Sequence, residues 1–288
     1  MEIKGILKGI VVSPIALTLF AIASMQGGSA FAKSLFQEVG AGGILFMRVG
    51  FAAILLFLCW RPPFTPEIRA NFKLLCLFGL VMAVMSLSFY EALDRIPLGI
   101  ASAIEFTGPL GLAALKSQRK LDLIWVILAA IGLLLLAPIG GFVLDIWGIL
   151  LALIAAFCLA TYIVLSARVG KVIPGVAGLA WAMAIGGLIL MPIGIFSTGS
   201  SLLQPRVLLL GLSVAILSSA LPYALEMVAL RSLPLNVFGV LKSLEPVAAA
   251  FAGLLILSER LTLRAILAIV LISLAAAGAS RFRDRTSE

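Results

Sequence analysis

Histidine is absent from all 288 residues. That absence removes a Ser-His-Asp triad, an HExxH zinc site and any histidine proton relay. Cysteine is nearly absent too: Cys59, Cys76 and Cys158 lie at or within apolar stretches, without a CxxC spacing. They read as small apolar filler, with no disulfide or metal implied. No GxxxxGK[ST] loop is present, so the chain does not hydrolyse nucleotides by itself. Charge is scarce as well, at 12% of residues. These gaps point away from an enzyme and imply neither a cofactor nor a metal.

What fills the chain is apolar. Hydrophobic residues make up 62%, with a mean hydropathy of +1.22. Charge-free runs extend over Gly9–Ala32, Leu123–Leu144, Ile146–Ala167 and Val172–Pro205. A helix needs roughly 20 apolar residues to span a bilayer. The expected fold is therefore an all-α integral membrane protein with the lipid bilayer as its solvent. Ten spans are predicted, at about 12–32, 40–60, 71–91, 96–116, 122–139, 146–167, 174–196, 206–230, 235–257 and 262–280. The first is too long for a signal peptide and lacks a small-x-small cleavage site.

The basic residues orient the spans. Lys4, Lys8, Arg61, Arg69, Lys73, Lys116, Arg119, Lys120, Arg168, Lys171, Arg231, Arg281, Arg283 and Arg285 fall on one side. Only Lys33, Arg95, Arg206, Arg260 and Arg264 fall on the other. The positive-inside rule then places both termini in the cytoplasm. This topology accounts for the net charge of +8 without a nucleic-acid partner. The tail Arg281-Phe282-Arg283-Asp284-Arg285 reads as a stop-transfer flank, with contact to anionic headgroups as the alternative.

The chain also repeats itself. Ala92-Leu93-Asp94-Arg95-Ile96-Pro97-Leu98 matches Ala229-Leu230-Arg231-Ser232-Leu233-Pro234-Leu235 at an offset of 137 residues. The same offset sets Pro109 on Pro246 and Glu105 on Lys242. Two five-helix repeats are expected, at 1–141 and 142–288, meeting near Gly140-Gly141. An odd number of spans per copy inverts the second, as in many secondary transporters.

Charges inside spans mark the candidate site, because each costs roughly 2.5–3.5 kcal/mol at a helix centre and so turns toward protein or a cavity. They are Glu105 in span four, Lys242 and Glu245 in span nine, Arg48 in span two and Glu226 in span eight. Glu91 lies near an outer end. Lys242 and Glu245, three residues apart, can also simply neutralise each other. A proline frees the carbonyl four residues before it. Pro109 thus frees that of Glu105, Pro246 that of Lys242 and Pro222 that of Ser218, and all three are expected to kink their helices. Gly108 and Gly111 remove bulk beside Glu105, for packing or for a ligand. Gln26, within Ser24-Met25-Gln26-Gly27-Gly28-Ser29, offers both a donor and an acceptor where Gly-Gly loosens span one. Ser218 and Tyr223 add polar groups to span eight. Trp60, Trp125 and Trp147 sit at span ends as interfacial anchors, with Trp181 the exception.

These residues resemble the EamA-type transporters of the drug/metabolite transporter superfamily. The likeness rests on Trp147-Gly148, Ala160-Thr161-Tyr162 and Glu259-Arg260-Leu261-Thr262. It rests also on Gln26-Gly27-Gly28, Ala32-Lys33-Ser34-Leu35-Phe36, Pro97-Leu98-Gly99-Ile100-Ala101, Glu105-Phe106-Thr107-Gly108-Pro109-Leu110, Ala220-Leu221-Pro222-Tyr223, Leu225-Glu226-Met227 and Glu245-Pro246. Within the family it is similar to members that export small amino acids such as threonine and homoserine. This chain departs from the pattern at Lys242, since in the family an apolar residue stands before Ser243, and the difference bears on the amino acid accepted. The resemblance implies an exporter of the bacterial inner membrane, monomer or homodimer, working by alternating access with a small-molecule substrate. It implies Glu105 for the substrate ammonium or for a coupling proton, Lys242 or Arg48 for the carboxylate, and Gln26 and Ser218 for the side chain. A relative exporting aromatic amino acids, purines or amphiphilic cations is the nearer alternative. A lipid-modifying enzyme is the further one, with Glu259-Arg260 its only candidate cluster; a loop capping the last span explains that pair more simply.

Overall fold

The computed structural model describes residues 13–116, 122–136, 145–173, 177–229, 233 and 235–281, and among these it is helical with no strand. The midpoint Gly140-Gly141, together with Lys4, Lys8, Arg119, Lys120, Arg231, Ser232, Pro234, Arg283 and Arg285, lies outside the described residues. The first seven helices are α1 (Pro14–Ser34), α2 (Phe36–Val39), α3 (Ala41–Trp60), α4 (Pro66–Ala70), α5 (Phe72–Leu93), α6 (Leu98–Lys116) and α7 (Asp122–Leu136). The next three are α8 (Ile146–Val172), α9 (Ala177–Thr198) and α10 (Pro205–Ala215). A π-helical turn, Ile216–Ala220, leads into α11 (Leu221–Ala229). Last come α12 (Leu235–Lys242), α13 (Glu245–Leu257) and α14 (Leu263–Arg281). Among the described residues, some helix lies within each of the ten predicted ranges, with a break at 243–244 inside the ninth.

Among the described residues, seven helical segments are long and apolar enough to cross a membrane. They are α1, α3, α5, α8, α9, the run Pro205–Tyr223 and the run Val240–Leu257. Shorter apolar stretches lie in α6, α7 and α14. The starts are set by local chemistry. Ser13 accepts a hydrogen bond from Ala16 N at 3.1 Å with Pro14 in the first turn, and Asp145 accepts from Trp147 N at 2.8 Å. Each cap satisfies an amide that helix geometry leaves free.

The helices pack through small residues and leave large ones outside. Ala30, Ala101, Ala103, Ala152, Ala155, Ala249, Ala268 and Ala275 are fully buried, whereas Leu58, Phe157, Leu188, Phe196, Leu203 and Leu255 are exposed around the exterior. Lipid tails are as apolar as leucine, so burying it gains little, and close backbone approach is what holds such helices together. Gly108 on α6 shows the requirement: a Cβ there would overlap the carbonyl of Ala156 on α8. Gly28 on α1 likewise sits where a Cβ would come within 2.8 Å of Ser218 N. Gly111 meets nothing within 4 Å, so its role is open space and not packing.

Helices early in the chain pack on helices late in it. α1 packs on α11 and α13, while α8 packs on α5 and α6. α3 also meets α9, α6 meets α13, and α7 meets α14. Two sequence expectations change here. The Gly27-Gly28 pair does not break α1, which runs unbroken from Pro14 to Ser34. Pro246 does not kink a continuous helix either. The chain stops at Lys242 and restarts at Glu245, with Pro246 in the first turn of α13, where its missing N–H has no helical partner to lose.

Replacing Gly108 by leucine forces α6 off α8 and is expected to cost about 1–3 kcal/mol, as overpacking does. Gly111→Ala should be tolerated. Thermal unfolding of the detergent-purified variants checks the contrast.

Candidate functional site

The break between α12 and α13 builds the centre of the site. Ser243 closes the end of α12 by donating to Val240 O at 2.6 Å. Lys242 then sits in the last turn of one helix and Glu245 in the first turn of the next. Each charge meets the helix end whose dipole favours it. Lys242 Nζ donates to Glu226 Oε1 of α11 at 2.9 Å and pairs also with Glu245. The lysine is therefore held between two carboxylates, from both sides of the break.

Arg48 enters from α3. Its Nε donates to Ser219 Oγ at 3.1 Å, and its guanidinium stands 5.3 Å from the centre of the Tyr90 ring. Among the described residues no carboxylate lies within ion-pair distance of it. Glu105, on α6, is half-buried and makes neither a hydrogen bond nor an ion pair among the described residues. It nonetheless lies in the field of Glu245, Arg48 and Lys242. Tyr223 lies in the field of Arg48, Glu226, Lys242 and Glu245, and Tyr162 in that of Lys242 and Glu226. The chain's three tyrosines thus all surround this one cluster. Three carboxylates against two cations leave one negative charge in excess, and Glu105 is the one without a direct partner.

The structure brings Arg48, Glu105, Tyr223, Glu226, Lys242 and Glu245 together. Gln26 is buried on α1, which packs against α11 and α13, and its Oε1 has no hydrogen-bond partner among the described residues. Ser218 does not join the cluster. Its hydroxyl donates to Val214 O at 2.6 Å, and Gly28 packs directly over it. The neighbouring Ser219, in the same π turn, is the serine that meets the cluster, accepting from Arg48 Nε. Ser24 steadies that turn by donating to Leu217 O at 2.7 Å. Tyr90 and Ser219 were missed from sequence; the rarity of tyrosine in the chain is the signal that could have found Tyr90. Pro109 lies inside α6 as expected, and Pro222 comes directly after the π turn, in the first turn of α11. Glu91 stays at a helix end, 3.7 Å from Arg95. Trp147 is exposed at the start of α8, and Trp181 packs edge-on against Phe57 and Phe64.

The loop before the last span caps it, as expected, and Glu259 in that loop has a partner of its own. Thr262 caps α14, accepting from Ala265 N at 3.2 Å, while Glu259 reaches across to α6 and accepts from Leu98 N at 3.0 Å.

Lys242→Met should leave Glu226 and Glu245 repelling each other. Because Glu226 and Glu245 are buried and Lys242 is only 22% exposed, the cost should approach the roughly 3–5 kcal/mol of breaking a buried pair. Adding Glu226→Gln to Lys242→Met should recover part of the loss, a non-additivity that thermal unfolding in detergent reads directly.

Residues 146–281 match the EamA-like transporter family. Over 272 residues the chain is 43% identical to the threonine/homoserine exporter RhtA of Escherichia coli K12, covering 93% of this chain and 91% of that protein. The threonine/homoserine exporter RhtA of Salmonella typhimurium LT2 matches with the same identity and coverage. A protein of known crystal structure aligns with 96% of this chain and 99% of its own, with a TM-score of 0.63 at 19% identity, a likeness of fold. Together with its many apolar helices, these relatives make the chain a multi-pass membrane protein. It belongs to the EamA-like transporter family.

Proposed function

We propose that the chain exports small amino acids of the threonine and homoserine kind across the bacterial inner membrane, by alternating access and coupled to protons. The observation that carries this reading is the 43% identity to the Escherichia coli exporter over 93% of the chain. The site's chemistry supports it independently, since each end of an amino acid has a complement there.

Glu105 is the partner for the ammonium group. An unpaired carboxylate in a site with excess negative charge favours a cation, and either an ammonium or a proton supplies it. Alternation between the two would couple export to proton entry. Arg48 is the partner for the carboxylate. Its planar fork suits a carboxylate: Nε donates to Ser219, the Tyr90 ring stands 5.3 Å away, and no carboxylate among the described residues pairs with it. Lys242, already held by Glu226 and Glu245, sets the field of the site more than it contacts ligand. The free Oε1 of Gln26 accepts from the substrate hydroxyl.

The architecture we propose is ten spans in two inverted five-helix repeats, 1–141 and 142–288, with both termini in the cytoplasm. Reciprocal packing supports it: exchanging the halves turns the α1 contacts with α11 and α13 into the α8 contacts with α5 and α6. The broken α12–α13 pair is the kind of discontinuous helix that forms midplane sites in inverted-repeat transporters.

Counterflow in proteoliposomes tests the function, with threonine, homoserine, an aromatic amino acid and a cationic drug compared side by side. Preloaded threonine or homoserine should drive uptake of label. Exchange of only the aromatic compound or the drug would overturn the substrate class. Glu105→Gln should abolish or uncouple exchange while the protein still inserts and purifies normally; full, coupled exchange by that variant would remove Glu105 from its role.

A further inference from the structure

At the end of the bundle where α1 finishes, the two halves are tied by charge. Lys33 pairs with Glu259 at 2.6 Å, Glu38 with Arg206 at 3.5 Å, and Arg95 with Asp145 at 3.9 Å. Each pair joins a residue before position 137 to one after position 144. Among the described residues, every ion pair that crosses between the halves lies at this end.

Lys33–Glu259 differs from the other two. Its side chains are only 18% and 14% exposed, whereas Glu38, Arg95, Asp145 and Arg206 are all well exposed. Exposed pairs contribute little; a sheltered pair with further hydrogen bonds contributes more. Lys33 Nζ also donates to Ile96 O at 2.9 Å, and the second oxygen of Glu259 accepts from Leu98 N at the start of α6. The pair thus grips the turn between α5 and α6 from both sides.

The local backbone is shaped for this grip. Ser258 ends α13 in the left-handed region, φ 56°, which turns Glu259 back along its own helix. Its carboxylate occupies the space that a Cβ on Gly253 would need. In the first turn of α6, Gly99 lies so close to α13 that a Cβ there would come within 2.8 Å of Ala250 Cα. Helix α6 carries Glu105, and α13 begins at Glu245. The grip therefore connects this end of the bundle to both sides of the charged cluster.

We infer that Lys33 and Glu259 are positioning residues for transport: their ion pair is the latch that holds this end of the bundle shut, and it must break for the substrate path to open there. The inference rests on the alternating-access reading above. When the latch breaks, Leu98 N loses its acceptor, so α6 is freed at its start and can swing away from α13 with Glu105 on it.

The test reads access to the site and needs no substrate. In a chain carrying Cys59→Ala, Cys76→Ala and Cys158→Ala, a reporter thiol is placed by Ser102→Cys, one helical turn from Glu105 at a buried position. Gln26→Cys on α1 is a second reporter should the first disturb folding. A membrane-impermeant maleimide is then added to reconstituted protein from either side. Lys33→Met and Glu259→Gln should each raise labelling from the Lys33 end about tenfold, within the usual range of coupling between a switch and a distant site. Labelling from the opposite side should fall. Unchanged rates would overturn the latch, and so would a rise from both sides, which reports only a loosened bundle. Failure of threonine counterflow would count against the proposed substrate and leave this result standing.

Discussion

The compensation of buried charge organises the middle of this molecule. A lysine placed inside an apolar bundle needs carboxylates, and Lys242 has two, Glu226 and Glu245. Holding it there requires a broken helix, so that the C-terminal end of α12 and the N-terminal end of α13 both point at the pair. Once Lys242 is satisfied, Glu105 is left half-buried with no ion pair among the described residues. An ionised carboxylate in that setting is costly unless it meets a positive group or takes up a proton.

The packing of small residues serves the same end. Close approach at Gly108 seats α6 on α8, and the approach at Gly28 seats α1 on the π turn. The first fixes the helix that carries Glu105; the second presents Ser219, rather than Ser218, to Arg48. α1 also packs on α11 and α13, and α8 on α5 and α6, so helices far apart in sequence share the bundle's core. The charged ties at the Lys33 end span the same division.

Much of this was legible in the sequence. The spans could be read because apolar length has no other explanation in a chain this poor in charge. Arg48, Glu105, Glu226, Lys242 and Glu245 stood out because a charge in such a run demands a reason. Other features could not be read. A proline in an apolar run looks the same whether it kinks one helix or opens a second, so the break before Pro246 was hidden. The π turn is not marked in the sequence, so nothing there showed that Ser219 would meet Arg48 while Ser218 bonds back to Val214. Glu259 finds Leu98 across 161 positions of sequence, and only the folded bundle brings them together.

The central claim is that the site recognises both ends of an amino acid, Glu105 taking the ammonium and Arg48 the carboxylate. Titration calorimetry of the purified protein tests it most directly, with L-threonine compared with L-threoninamide, which lacks the carboxylate, and with 3-hydroxybutyrate, which lacks the ammonium. Both analogues should bind at least about tenfold more weakly than threonine, the loss of roughly 1.4 kcal/mol expected when a charged partner goes unmet. Binding of 3-hydroxybutyrate as tightly as threonine would contradict the account, since Glu105 would then have no ammonium to hold.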